Sequence, residues 1–112
     1  MIALLVAVAG GLGAVLRLGV DTLVVPRTPS NLPWATLLVN VTGSFALALL
    51  VDTGDPVHAV VGAGLLGGYT TFSAASVEAA RRLVEGRRVD GLLTVVLMPA
   101  ACVLAAAAGL QL

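Results

Sequence analysis

Few polar side chains in this chain could do chemistry, and the informative ones fall inside its apolar stretches. Thr36, Asn40 and Ser44 recur at intervals of four, which places them in one stripe along a helix. Asn40 is the most informative of the three. A buried amide needs partners, and its NH2 has two donors that either serve an anion or tie one helix to another. Residues 67–73 read GGYTTFS inside an otherwise apolar stretch. That composition breaks a helix and frees backbone carbonyls, which are tolerated at membrane depth only in protein interior or along a cavity. Such carbonyls are good ligands for a hard cation such as Na⁺. Glu78 follows two turns past Thr70, either at a pore mouth or paired with Arg81 or Arg82. Arg17 and Asp21 are four apart, so Arg17 either pairs with Asp21 or snorkels to the nearby interface as an anchor.

Nothing in the set suggests an enzyme. His58 is the lone histidine, close to Asp52 and Asp55 but with no nucleophile placed beside it, and reads as a solvated or interfacial group. Cys102 is the single cysteine, in an apolar run, so it reads as a small buried hydrophobe and builds no disulfide framework or metal cluster. GGLGAVL at 10–16 lacks the third glycine of a dinucleotide loop, and the segment before it has membrane rather than strand length.

The elements that must position these residues follow from composition. The 112 residues are 59% hydrophobic and 11% charged, against about a quarter charged in an ordinary soluble domain. Too few ionic groups remain to cover a water-facing surface, so the bilayer is the expected solvent. A net charge of zero argues against nucleic acid as a partner. Four apolar stretches have about the 20-residue length of a membrane span: residues 2–23, 32–51, 57–80 and 91–110. The first has neither the basic start nor the cleavage site of a signal peptide. The prolines and Ser30 of the linker after it make a turn and a helix start, and Pro99 is expected to kink the fourth span. The expected fold is all-α: a single membrane domain over 1–112, with four transmembrane helices and the third broken at 67–73. Gly64 and Gly68 have the small-residue spacing that lets helices approach closely.

There is no lysine, and the arginines are lopsided. Arg27, Arg81, Arg82, Arg87 and Arg88 fall in the two loops that share one side of a four-span protein. Both termini and the loop at 52–56 have none. The positive-inside rule puts the arginine loops in the cytoplasm and both termini outside the cell membrane.

Taken together, GGLGAVLR at 10–17, ATLLVNVTGSF at 35–45 and GGYTTFS at 67–73 resemble the Fluc (CrcB) fluoride channel family, in its order and spacing and over most of the chain. The resemblance implies a small channel that lets fluoride leak out of a microbial cell. It also implies an antiparallel dimer with two narrow pores and a central Na⁺. Carried over, the Gly67 and Thr70 carbonyls would hold that Na⁺. Asn40 matches the pore-lining asparagine and Phe72 the first of two pore phenylalanines. Thr36 and Glu78 match pore-associated residues, and Arg17 matches the arginine of the first helix. Fluoride is strongly hydrated, so a narrow pore must replace its water; hydroxyl and amide donors at Thr36, Asn40 and Ser73 can do so. The positive edge of the Phe72 ring suits an anion as well.

Two positions depart from the family pattern. Ala75 stands where the second pore phenylalanine is usual, and Thr94 is the only hydroxyl within the fourth span, where the family has a tyrosine and a serine. With the arginine bias, this fits one half of a heterodimer whose paralogue inserts with the opposite topology; a homodimer would need near-zero bias. The alternatives are a non-conducting assembly subunit and a small multidrug exporter. The exporter requires an embedded carboxylate in the first helix, where this chain has Arg17, with Asp21 near the end.

Overall fold

The computed structural model describes residues 1–29, 31–51, 54 and 58–112. Ser30, expected to start the second helix, and Asp52 and Asp55, expected near His58, lie outside the described residues. Helix α1 spans Ile2–Val24 and ends where Pro26 removes an amide donor, in a short 3₁₀ turn over Val25–Arg27. Side chains take over at its C-terminus: Arg27 donates to the Leu23 carbonyl at 2.7 Å and the Thr28 hydroxyl to Val24 at 2.9 Å.

Helix α2, Trp34–Leu49, has 16 residues, fewer than the 32–51 span expected from hydropathy. Pro33 takes a non-helical conformation at its start, and the chain turns at Leu50 and Val51. At ~1.5 Å per residue such a helix is about 24 Å long, less than the ~30 Å hydrocarbon core. Three other helical segments are long and apolar enough to cross a membrane: Ile2–Arg27, His58–Val84 and Arg88–Leu110. The protein is an all-α, multi-pass membrane protein.

The segment His58–Val84, the third expected span, is broken, as its sequence predicts, and the break is narrower than GGYTTFS. Helix α3 consists of a π-helical stretch, His58–Leu66, that tightens into an α-helical turn, Gly67–Tyr69. Thr70 and Thr71 are extended, and α4 restarts at Phe72 and continues to Val84, past the expected end at 80. Gly86, with φ of 81°, closes α4 in the left-handed conformation that glycine adopts at least cost. The Arg87 amide then bonds the Arg82 carbonyl at 2.8 Å and the Gly86 amide bonds Leu83 at 3.3 Å, the paired bonds of a Schellman motif. Helix α5, Arg88–Leu110, therefore begins before residue 91, and it continues through Pro99.

Glycines set the packing of α1 on α3. A Cβ on Gly68 would fall on the Gly10 carbonyl, one on Gly13 on the Leu65 carbonyl, and one on Gly64 would come within 2.9 Å of the Val6 carbonyl. The two backbones are in direct contact along this line, as small residues at four-residue spacing allow. Helix α2 packs mainly on α5, with Val39 fully buried between neighbours. Large apolar side chains such as Leu4, Val15, Leu18, Val103 and Leu104 face outward. Lipid makes that arrangement favourable, and the long dimension of 47 Å matches a bilayer of about 40–45 Å with its headgroups.

Candidate functional site

At the break, the helical hydrogen-bond ladder is rerouted through side chains. In an unbroken helix the Thr71 amide would bond the Gly67 carbonyl and the Ala74 amide the Thr70 carbonyl. Instead Thr71 N–H donates to Asn40 Oδ1 at 2.9 Å, and Ala74 N–H donates to the Thr71 hydroxyl at 3.0 Å. Thr71 is thus the N-cap of α4, a position that threonine favours because its oxygen accepts an orphan amide. The Gly67 and Thr70 carbonyls, the pair expected to face a cation, are left without a backbone or side-chain donor among the described residues. The Thr70 hydroxyl folds back onto the Leu66 carbonyl at 2.9 Å. Two carbonyl oxygens freed in this way have the donor chemistry of a Na⁺ site.

Asn40 closes the other half of the break. Its Nδ2 donates to the Thr71 carbonyl at 2.9 Å, so both peptide groups of Thr71 pair with one amide. This pairing fixes which end of the amide is oxygen. The second Nδ2 proton is directed at the Met98 sulfur, 3.7 Å away. Asn40 is 8% exposed and is held on three sides by α2, the break and α5. The sequence left open whether this amide binds an ion or joins helices; here it joins them and keeps one proton on a weak acceptor.

Asn40 and the break open onto a groove of about 820 Å³ between α2, α3, α4 and α5. Asn40, Ser44, Gly67, Thr70, Phe72 and Ala75 are among its lining residues, opposite Thr94, Met98 and Cys102 at four-residue spacing along α5. Phe72 is 86% exposed at the first position of α4, an unusual place for a phenyl ring unless lipid or another chain covers it. The Phe72 and Ser73 amides have no acceptor among the described residues, so the positive end of the α4 dipole also sits at the break.

The remaining expected site residues are not gathered on this groove. Thr36 is half-buried one turn before Asn40 and does not line it. The Ser73 hydroxyl lies 3.4 Å from that of Thr71 and off the groove wall, whereas Ser76 lines it and donates to the Phe72 carbonyl. Glu78 is paired with both arginines, at 2.7 Å to Arg81 and 2.5 Å to Arg82. Arg82 is 3% exposed and also bonds the Asn31 carbonyl at 3.0 Å, tying α4 to the α1–α2 connection. Arg17 forms no ion pair with Asp21 among the described residues and is half-buried.

At the groove's far end, His58 is half-buried, with Nδ1 3.2 Å from the Leu50 carbonyl. Cys102 is half-buried in the groove wall rather than enclosed in the core. The buried Thr94 hydroxyl bonds the Asp90 carbonyl at 2.8 Å. Sequence reasoning missed Thr71 and Met98. A threonine before a helical run signals an N-cap, and Met98 lies four residues from both Thr94 and Cys102 on one helix face.

A family model described as CrcB-like protein, Camphor Resistance (CrcB), matches residues 4–110. A fluoride-specific ion channel, FluC 1, from Leifsonia xyli subsp. xyli is 45% identical over 118 residues, covering 100% of this chain and 86% of that protein. Fluoride-specific ion channels FluC from Rhizobium meliloti and Shewanella sp. (strain W3-18-1) are 40% and 38% identical, each covering 97% of this chain and 93% of the relative. The matches span all of the helices, with the break and its asparagine inside them, and the chain belongs to the CrcB family.

Proposed function

We propose that this chain is a subunit of a fluoride-selective channel that lets fluoride leave the cytoplasm passively and so limits its toxicity. The observation that carries the reading is the convergence, on one groove, of an oriented Asn40 amide and Phe72, whose open amide begins α4. Both line a space with otherwise mostly apolar walls, where a donor is worth more than in water. A small anion that sheds its water there is compensated by these donors, and a larger halide fits them poorly. The edge of Phe72 adds a weakly positive surface at the same level. Thr36, Ser73 and Glu78 belong to this reading as approach residues on either side of the groove, and Arg17 as an interfacial anchor.

The groove is only one wall of a pore, so a second chain completes it. An antiparallel partner would bring a second break against the first, and the Gly67 and Thr70 carbonyls with their counterparts in the partner would hold one Na⁺. A cation held there would screen carbonyls that otherwise repel one another across the interface. Five arginines on one side support a fixed insertion with both termini outside the cell membrane. Fixed insertion favours a paralogue of opposite topology as the partner, which would also supply a phenyl ring where this chain has Ala75. Passive fluoride efflux from liposomes, with chloride as control and Na⁺ present, tests the reading. We expect fluoride-selective efflux with the paralogue, and little with this chain alone. Equal fluoride and chloride rates would overturn it. Fluoride efflux from this chain alone would replace the heterodimer by a homodimer, and no fluoride-dependent efflux from either preparation would leave only the non-conducting assembly subunit.

A further inference from the structure

Three polar atoms fully specify the Asn40 amide, and the third of them has no assigned role. Oδ1 accepts from Thr71 N–H and one Nδ2 proton goes to the Thr71 carbonyl, both at 2.9 Å. Reversing the amide would break both bonds, so only one proton of the side chain is available to any ligand. That proton is on the sulfur of Met98, at 3.7 Å. Met98 is 7% exposed and lies on the groove face of α5, one turn from Thr94 and one from Cys102.

From this geometry we infer that Met98 is a positioning residue for anion recognition, an inference that rests on the fluoride reading of Asn40. A thioether is a weak acceptor. It satisfies the buried N–H when no anion is present, which avoids the cost of leaving that group unpaired. It also gives the proton up readily to a fluoride ion, a far stronger acceptor. A hydroxyl or amide oxygen at this position would hold the proton more tightly and compete with the anion. An aliphatic side chain would not hold it, and the resting donor would be unsatisfied. Met98 therefore sets how much of the hydrogen-bond energy of Asn40 becomes available to fluoride.

The substitution Met98→Leu keeps volume and apolar character, a type of swap that cores tolerate, and removes the acceptor. Met98→Gln installs a strong acceptor at the same reach. Efflux as a function of internal fluoride gives the half-saturating concentration for each. It should fall about fivefold in M98L, the equivalent of one weak hydrogen bond no longer broken on binding. In M98Q it should rise. A merely structural role would move both variants in the same direction, and that result overturns the inference.

A second measurement holds even if M98Q fails to fold. Asn31 and Asn40 are the only asparagines, so selectively ¹⁵N-labelled full-length protein in lipid nanodiscs shows two side-chain amides. Titrated fluoride should shift one Asn40 proton and leave the Thr71-bound proton in place. Without fluoride, M98L should displace that same proton. If fluoride moves one proton and M98L moves the other or neither, the Met98 inference fails alone. If fluoride moves neither while efflux persists, the fluoride reading of Asn40 fails and takes this inference with it.

Discussion

Replacing Asn40 by alanine should unlock the helix break itself, as well as remove a donor from the groove. Both peptide groups of Thr71 are held by this one side chain at 2.9 Å, and no other bond to either is present among the described residues. An orphaned buried group costs ~1–3 kcal/mol. Thr71 is half-buried beside an open groove, so water reaches it and the lower end applies. Two groups at ~1 kcal/mol each give roughly 2 kcal/mol, which corresponds to about 30-fold faster exchange of the Thr71 amide through local opening.

Asn40→Asp separates the two halves of this argument. The carboxylate still accepts from Thr71 N–H, so protection of that amide should be retained. It cannot donate to the Thr71 carbonyl or to an anion, so fluoride efflux should be lost. Hydrogen–deuterium exchange over residues 66–76, in nanodiscs, reads the first quantity and liposome efflux the second. Unchanged Thr71 exchange in N40A would refute the claim that Asn40 closes the break. Equal loss of protection in N40A and N40D would refute the oxygen orientation assigned to its amide.

Other perturbations test the packing and the charges. Gly68→Ala places a methyl on the Gly10 carbonyl and must push α1 from α3, so it should destabilise by about 2 kcal/mol or more. Gly11→Ala, with nothing within 4 Å, should stabilise by ~0.5–1 kcal/mol; midpoints of denaturant unfolding in detergent compare the two. Glu78→Gln removes the carboxylate that meets the buried Arg82 guanidinium at 2.5 Å and should cost about 3 kcal/mol, more than Arg82→Met, which leaves Glu78 paired with Arg81. Thr71→Val removes the acceptor of the Ala74 amide and should fray the start of α4 by about 1 kcal/mol, visible as faster exchange of the Ala74 amide.

The parts of this fold that were legible in the sequence are those set by composition and local stereochemistry. Apolar runs gave the membrane helices, and two glycines with two threonines and a serine located the break. The position of Thr70 and Thr71 within it depends on long-range partners: Asn40 is 31 residues away from the amide it captures. Element ends were misplaced for a related reason. Residues 81–84 and 88–90 are charged enough to read as loop, yet both stretches are helical, because a three-residue turn with Gly86 suffices to reverse the chain. Glu78 lay within reach of two arginines and of a pore mouth alike, and only the fold shows Arg82 turned inward onto Asn31. Met98 has no sequence signature as an acceptor, since thioethers at such spacing are ordinary core residues.

The choice that the sequence posed for Asn40, helix-joining amide or anion donor, is dissolved by its hydrogen-bond inventory. A primary amide has one oxygen and two N–H groups. Closing a break in a neighbouring helix uses the oxygen and one N–H, in the two directions that a backbone peptide pair requires. The remaining N–H is then rigidly aimed, because any rotation that moved it would break two bonds elsewhere. Serine and threonine lack one of the two donors, aspartate lacks both, and glutamine would need one more rotor fixed to reach the same geometry. The broken helix thus does more than free two carbonyls. It provides the frame that orients a single donor, and in the fluoride reading proposed above the structural role of Asn40 is what would make its remaining proton selective.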